Sequence, residues 1–152
     1  MQSATIFFQF EADFVESLRC IPMQVRYKLD TCGVKLKLHH WHQLAARERQ
    51  GLVDLPCETA QEIADYREVL RRLVRDRSGE TPKDLAVDAN PPWFEESVPE
   101  TVQEKGRSLS VEIGDRQWLT LTPLQRFALL KLSRPSHENR NFYPALQEFG
   151  LV

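Results

Sequence analysis

The feature that most constrains the fold of this chain is a pair of similar segments, aligned without a gap at an offset of 77 positions. Trp41 aligns with Trp118, and Tyr66 aligns with Tyr143. The same offset pairs further identical residues: Pro22 with Pro99, Val25 with Val102, Lys28 with Lys105, Val34 with Val111, Leu44 with Leu121, Arg49 with Arg126, Leu52 with Leu129 and Leu55 with Leu132. Such a pattern indicates a duplicated supersecondary unit, in which each copy covers the apolar face of the other.

The repeated unit has a helical pattern. Residues 22–32 begin with Pro22, whose fixed φ and missing N–H suit the first turn of a helix. Gly33 follows, which is typical of a helix that ends in a left-handed glycine. Residues 41–56 carry apolar side chains at helical spacing and stop at a proline. We therefore predict two helices before residue 57, the second weakened by Gly51.

Capping residues mark further helices. Thr59 with Glu62, and Thr122 with Gln125, have the capping-box spacing, in which each side chain accepts a hydrogen bond from the other residue's backbone. The helix after Thr122 is apolar on most sides, so we expect it to be buried. A last helix is predicted for 136–150, where the internal proline implies a kink or a late start.

These elements predict an all-α fold built from two repeats related by a pseudo-twofold axis. The predicted boundaries are a single domain at 1–152, repeats at approximately 20–76 and 97–152, and a connector at approximately 77–97. The links at 33–38 and 110–115 have alternating polarity, so we expect them to pair as a small two-stranded ribbon.

Composition limits the partners and the compartment. The formal net charge of -2 gives no general attraction to nucleic acid or anionic membranes. No apolar run approaches the ~18 residues of a membrane-spanning helix, and the first residues do not resemble a secretory signal. Three cysteines without CxxC spacing suit reduced thiols. We therefore expect a cytoplasmic protein that binds neither nucleic acid nor membrane.

Catalytic motifs are not apparent in the sequence. It contains no nucleophile elbow, Walker loop, dinucleotide fingerprint or close carboxylate pair. Its six glycines are not clustered, which argues against a loop that cradles phosphate. We expect a protein that is not an enzyme and that has no cofactor.

The segment KLHHWH, residues 37–42, is the strongest candidate for a metal site. If a helix begins there, His39, His40 and His42 point in different directions, because only residues three or four apart share a helix face. No HExxH sequence or cysteine pair completes a ligand set. We predict no metal site, and the three histidines remain the alternative.

Cysteine chemistry offers another alternative. Cys20 lies beside Arg19 and before a predicted helix, and both features favour a reactive thiolate. Cys20 is therefore the candidate redox thiol. A free cysteine is usually a small buried apolar residue, which is the expectation for Cys32 and the alternative for Cys20.

Positive charge is concentrated before the histidine segment. Five cations are opposed locally only by Asp30, namely Arg19, Arg26, Lys28, Lys35 and Lys37. The charged residues at 80–100 are six carboxylates against one lysine, Lys83. We predict that the five cations form a basic surface that docks on an acidic protein partner. The alternative is two solvated faces of opposite charge.

A family resemblance rests on the run FQFEADFVESLRCIPMQVRYKLDTCGVKLKLHHWHQL at 8–44 and on ERQGLVDLPCET at 48–59. The phrase FEADFVESLRCIPM is its most specific part, and TPLQRFALLKL at 122–132 also fits. On these residues the chain resembles the cyanobacterial nitrate-reductase-associated protein family, over nearly its whole length.

The resemblance implies a small cytoplasmic protein of photosynthetic bacteria that an active nitrate reductase needs, with no established catalytic activity and no agreed functional residues. We therefore expect a non-catalytic accessory or maturation factor for ferredoxin-dependent nitrate reductase, acting by docking as a monomer or weak homodimer. It would bind the apo or the mature reductase. The alternative is a module that binds nitrate or a cofactor precursor in a groove between the two halves.

Overall fold

The computed structural model describes residues 7–12, 18–135 and 137–152. Within these ranges the helices are α1 (Met23–Cys32), α2 (Leu38–Gln43), α3 (Ala46–Asp54), α4 (Ala60–Ser78), α5 (Glu100–Ser108), α6 (Asp115–Thr120), α7 (Pro123–Ser133) and α8 (Phe142–Glu148). Short 3-10 turns lie at Gln9–Glu11, Pro92–Phe94 and His137–Asn141. The strands β1 (Val34–Lys35) and β2 (Lys83–Asp84) form a small antiparallel ribbon. The predicted all-α class with a small ribbon is confirmed.

The partner of the first ribbon strand differs from the predicted one. β1 pairs with β2, which lies in the predicted connector and places Lys35 opposite Lys83, whereas we expected residues 110–115. The side chain of Arg67 donates to Asp84 Oδ1 at 2.6 Å and so holds β2 against its own helical unit. Alternating polarity predicted β1 correctly, but residues 110–115 form no strand, so the pattern was wrong there and did not identify the partner of β1.

The chain divides into two compact units. One contains Glu11–Val87, and the other contains Phe8–Phe10 and Asp88–Val152. Among the described residues, no helix combines the length and the apolar character that crossing a membrane requires. The predicted single domain, repeat boundaries and pseudo-twofold axis stay predictions.

Helix α1 begins directly after Pro22 and ends before Gly33, as its sequence pattern predicts. Gly33 takes the left-handed conformation, with φ of 75°. At the start, Pro22 offers no side-chain cap, and the buried carboxylate of Glu11 accepts a hydrogen bond from Met23 N–H at 3.0 Å. A side chain from before the helix therefore satisfies one of its unpaired N–H groups.

The helix predicted at 41–56 is two helices, α2 and α3. The chain is extended at Leu44 and Ala45, where α2 ends and α3 is capped. The Glu48 carboxylate accepts from Ala45 N–H at 2.8 Å, and Arg49 Nε donates to the carbonyl of Trp41 at 3.0 Å. The break is stable because these side chains satisfy the free backbone groups at both new ends.

Helix α4 confirms the first predicted capping box. The Thr59 hydroxyl accepts from Glu62 N–H at 3.1 Å, and the Glu62 carboxylate accepts from Thr59 N–H at 2.9 Å. Its buried face contributes Tyr66, Leu70 and Val74 to the core of the first unit. The other buried members of that core are Leu18, Ile21, Val25, Leu29, Cys32, Val34, Trp41, Leu44, Leu52, Val53 and Cys57.

The second unit is centred on α7. The second capping box, Thr122 with Gln125, is confirmed at 3.2 and 2.9 Å. Its buried residues are Phe127, Ala128, Leu129, Leu130 and Leu132, as expected for a central helix. The last helix starts late, at Phe142, so that Pro144 lies in its first turn where its missing N–H has no partner to lose.

Local contacts recur at the offset of 77. Trp41 and Trp118 are both fully buried, and each indole N–H donates to the carbonyl 23 positions earlier, at 2.7 and 2.9 Å. Arg49 and Arg126 each donate from Nε to the carbonyl of the tryptophan eight positions earlier, at 3.0 Å. These shared contacts agree with the alignment, while the duplication itself stays a prediction.

The alignment fails at the tyrosines. Tyr66 is buried and donates to the carbonyl of Leu52 at 2.8 Å, whereas Tyr143 is 41% exposed. Phe142, the residue before it, is the buried aromatic of α8. The aligned tyrosines therefore occupy different environments, one in a core and one at the surface. Ser136, the aligned partner of Thr59, lies outside the described residues.

Candidate functional site

Three of the five cations in the predicted basic surface are exposed. Arg19, Lys35 and Lys37 are exposed, and Arg26 is half-buried. The guanidinium of Arg26 donates from Nε to the carbonyl of Ile21 at 3.2 Å, which ties it to the start of its own helix. These placements leave Arg19, Lys35 and Lys37 as the exposed candidates for docking.

Lys28 corrects the prediction. It is only 6% exposed, and its Nζ donates to the carbonyls of Val53 and Leu55 at 2.7 and 2.5 Å. The ammonium lies 5.6 Å from the centre of the Tyr66 ring. Burial lowers the pKa of Lys28, and the negative groups nearby only partly oppose this. Lys28 therefore caps the C-terminal end of α3 from inside the first unit and cannot contact a partner.

The ribbon adds a cation that the sequence pattern did not indicate. Lys35 and Lys83 are directly opposite each other, and both are exposed. Like charges at directly opposed positions destabilise a strand pair, so this arrangement gains nothing for the ribbon. Lys37 follows two residues after Lys35 and is also exposed. We call Lys35, Lys37 and Lys83 the lysine surface.

A groove on α4 gathers arginines. It has a volume of about 390 Å³ and is lined by Ala64, Arg67, Glu68, Arg71 and Arg75. The carboxylate of Asp84 accepts from Arg67 at 2.6 Å and from Arg71 at 2.9 Å, and these two guanidinium groups lower the pKa of Asp84. Arg75 is exposed. The groove is basic, but much of its charge is already paired.

The histidine segment forms a cluster with a residue that sequence spacing did not indicate. His39 and His40 lie in the first turn of α2, and Glu80 follows the end of α4. Glu80 Oε1 is 3.3 Å from His39 Nε2 and 3.7 Å from His40 Nε2. The two imidazole centroids are 4.3 Å apart. We call His39, His40 and Glu80 the His–Glu cluster.

His42 does not join this cluster. Its Nε2 is 2.8 Å from the carbonyl of Arg19, to which it donates. The expectation that the three histidines diverge is therefore right for His42 and wrong for His39 and His40, whose rings converge at the helix start. Glu80 was missed because it is 40 positions away in sequence and only the fold brings it near.

His40 has an unusual environment for an imidazole. It is 3% exposed, and its Nδ1 accepts a hydrogen bond from Lys37 N–H at 3.4 Å. Its Nε2 is buried and has no hydrogen-bond partner. Burial lowers the pKa of His40, and the neighbouring His39 adds to this effect. The hydrogen bond from His39 lowers the pKa of Glu80. Near neutral pH the cluster therefore contains a neutral His40 and an ionised Glu80.

The three cysteines have different environments. Cys32 and Cys57 are buried in the first unit, and Cys20 is half-buried. Burial raises the pKa of Cys32 to about 11 and that of Cys57 to about 12. Both stay protonated near neutral pH, and a protonated thiol is a poor nucleophile. This arrangement confirms the expectation for Cys32, and Cys57 is likewise a buried core residue. The redox role of Cys20 stays a prediction.

We expect a thiol reagent at pH 8 to modify Cys20 first in the folded protein and all three cysteines after denaturation, as absorbance titration would measure. The C20S variant should lose the fast phase of the reaction and keep the two thiols that react only after unfolding. Equal rates for all three thiols in the folded protein would contradict the burial of Cys32 and Cys57.

The chain matches a known protein family. A model of the conserved nitrate reductase-associated proteins matches residues 7–149. No curated protein and no solved structure matches the chain. The matched range contains the lysine surface, the His–Glu cluster and all of the described helices. With the match extending over almost its full length, this chain belongs to the conserved nitrate reductase-associated protein family.

Proposed function

We propose that this protein is a non-catalytic accessory or maturation factor for assimilatory, ferredoxin-dependent nitrate reductase, and that it acts in the cytoplasm by docking on the reductase. Membership of a family named for its association with nitrate reductase is the observation that carries the proposal. Docking requires a surface rather than a catalytic centre, and the exposed lysines supply such a surface.

The docking surface we propose is the lysine surface, with Arg19 as a further exposed cation. Lys35 and Lys83 are held in opposition by backbone pairing, at a cost to the ribbon. A carboxylate-rich patch on a partner would relieve that repulsion on contact. Charges of this kind steer encounter and fix orientation more than they add affinity.

Bound in this way, the protein would hold the reductase in a conformation that accepts its molybdenum cofactor or iron–sulfur cluster. The mechanism needs only a difference in affinity between two states of the reductase, because a partner shifts an equilibrium by that difference. We propose the cofactor-free reductase as the preferred state.

The proposal predicts that a charge reversal at Lys35, Lys37 and Lys83 abolishes co-purification of nitrate reductase with this protein. The wild-type complex should also weaken as salt rises from 0.1 M to 1 M, where the screening length falls from about 10 Å to about 3 Å. The measurement is quantitative pull-down of the reductase, from cells grown with and without molybdate.

A matched control reverses three exposed arginines in the second unit, Arg116, Arg134 and Arg140. Both triple variants turn three cations into three anions, so they change the net charge equally. The control variant should retain the reductase. Equal retention by the lysine variant would reject the docking surface, and no retention by the wild-type protein would reject the proposed association.

The alternative, a module that binds nitrate or a cofactor precursor, stays a prediction. The arginine groove on α4 is the described feature whose charge suits an anion, but Asp84 already occupies two of its three guanidinium groups. We therefore prefer docking.

A further inference from the structure

We propose that His39, His40 and Glu80 form a binding site for a divalent transition-metal ion of the zinc type. This inference goes beyond the docking role and does not depend on it. It rests on three facts about the first unit: three side chains with metal-ligand chemistry converge, their spacing suits one ion, and a buried ring nitrogen aimed at the cluster has no partner.

The spacing of the ligand atoms fits a tetrahedral ion. Zinc binds histidine nitrogen and carboxylate oxygen at about 2.0–2.2 Å, which places tetrahedral ligand atoms about 3.4 Å apart. Glu80 Oε1 lies 3.3 Å from His39 Nε2 and 3.7 Å from His40 Nε2. The candidate ligand atoms of all three residues lie within 4.8 Å of one another. Small rotations of exposed side chains would complete the geometry.

The three side chains differ in exposure in a way that suits ion capture. His40 is buried, whereas the His39 and Glu80 side chains are 51% and 54% exposed. The buried imidazole provides one ligand within the fold, and the two exposed ligands can approach the ion from solvent. Two imidazoles and a carboxylate leave a fourth position open to water, as in zinc sites that are not purely structural.

The unpartnered His40 Nε2 is the observation that distinguishes this cluster from an ordinary surface ion pair. Buried polar atoms almost always have a hydrogen-bond partner, and a missing one needs an explanation. The carboxylate oxygen Glu80 Oε1 lies at 3.7 Å from it, beyond hydrogen-bond distance. An ion between the two atoms would satisfy both.

Binding requires one proton to move. His40 Nδ1 now accepts from Lys37 N–H, so in the neutral ring the proton is on Nε2. The ion takes the lone pair of Nε2, and the proton is carried by Nδ1 instead. The cost is the hydrogen bond to Lys37 N–H, which at 3.4 Å is long and therefore weak, and the ring must turn so that Nδ1–H no longer faces that N–H. The positive charge of Lys37 also opposes binding, and the ionised carboxylate of Glu80 offsets it.

The ligand set also indicates the class of ion. Imidazole nitrogens suit zinc, copper, nickel and cobalt, whereas calcium and magnesium prefer oxygen ligands alone. Zinc ion is therefore the probe for affinity. Cobalt ion is the probe for geometry, because its visible absorption reports tetrahedral coordination.

One substitution at His40 separates metal binding from helix capping. In α6, Gln117 accepts from Gly114 N–H at 2.9 Å in the same capping role that His40 has in α2. H40Q should therefore keep the helix cap while it removes the imidazole. E80Q removes the carboxylate charge from an exposed side chain, and H42Q is the matched control on the same helix.

The experiment titrates zinc chloride into protein freed of its purification tag, in a C20S background that removes the most accessible thiol. Calorimetry should give one ion per chain, and H40Q and E80Q should each weaken binding by more than the roughly 10–100-fold lost with an outer-shell partner. Zinc should raise the unfolding temperature of C20S protein, since it binds the folded state, and H42Q should behave as its parent.

Three results would overturn the site. They are no heat and no stabilisation with zinc in the millimolar range, binding by H40Q and E80Q at parental affinity, and equal loss of binding in H42Q. Unfolding curves without zinc check that H40Q and E80Q are folded, so that lost binding reports lost ligands. An octahedral cobalt spectrum would reject the zinc-type geometry.

Discussion

Replacing Trp41 by alanine is expected to lower the free energy of unfolding by about 3–5 kcal/mol, the range for buried tryptophan and phenylalanine truncations. Trp41 is fully buried, and its indole N–H donates to the carbonyl of Leu18 at 2.7 Å. Leu18 has a positive φ of 52°, which is unusual for a residue with a side chain. The alanine variant therefore loses packing. It also removes the indole donor from the carbonyl of Leu18, a residue whose backbone conformation is already unfavourable.

Two further variants separate these effects, with denaturant unfolding as the measurement. W41F keeps most of the ring volume but loses the hydrogen bond, and it should cost about 1–3 kcal/mol. L38A is the control on the same helix, because Leu38 is 50% exposed and should change stability by less than about 0.5 kcal/mol. A W41A midpoint equal to that of the wild type would contradict the central role of Trp41.

The second large effect is expected at Lys28, where alanine should cost about 3 kcal/mol. The truncation removes a buried aliphatic stem and leaves the carbonyls of Val53 and Leu55 without the donor that reaches them at 2.7 and 2.5 Å. Release of the buried charge offsets part of this loss. K28M keeps the stem and should cost about half as much, while the exposed K35A should be nearly neutral.

Lys28 also gives an expected pH dependence. Burial lowers the pKa of Lys28 in the folded protein below its usual value of 10.5. Between the lowered pKa and 10.5, the unfolded chain binds more protons than the folded chain, so the contribution of Lys28 to stability rises with pH. The difference in unfolding free energy between wild type and K28M should therefore increase towards pH 10. A constant difference from pH 7 to pH 10 would contradict the burial of an ionisable group.

Helix boundaries were the most predictable part of the fold. The capping boxes at Thr59 and Thr122 place the starts of α4 and α7 correctly, because the interactions that define them span three residues. Gly33 likewise marks the end of α1. The break between α2 and α3 was missed, since it depends on Arg49 reaching back to the end of the preceding helix.

The candidate sites were less predictable. From the density of charge along the chain we predicted that Lys28 is at the surface. The stem and the ammonium of Lys28 are instead buried beneath α3. The density of charge also gave no indication of Lys83, which lies opposite Lys35 because β1 pairs with β2. A linear pattern counts charges but does not show which side of an element faces the core.

The sequence by itself determined the helical class and the capped helix starts, because these follow from local periodicity and short-range hydrogen bonds. Only the tertiary structure decided that β1 pairs with β2, that Lys28 is internal, and that Glu80 meets His39 and His40. Each of these depends on which distant segments share the first unit. Such choices are set by the summed burial and hydrogen bonding of the whole unit, which no short stretch of sequence contains.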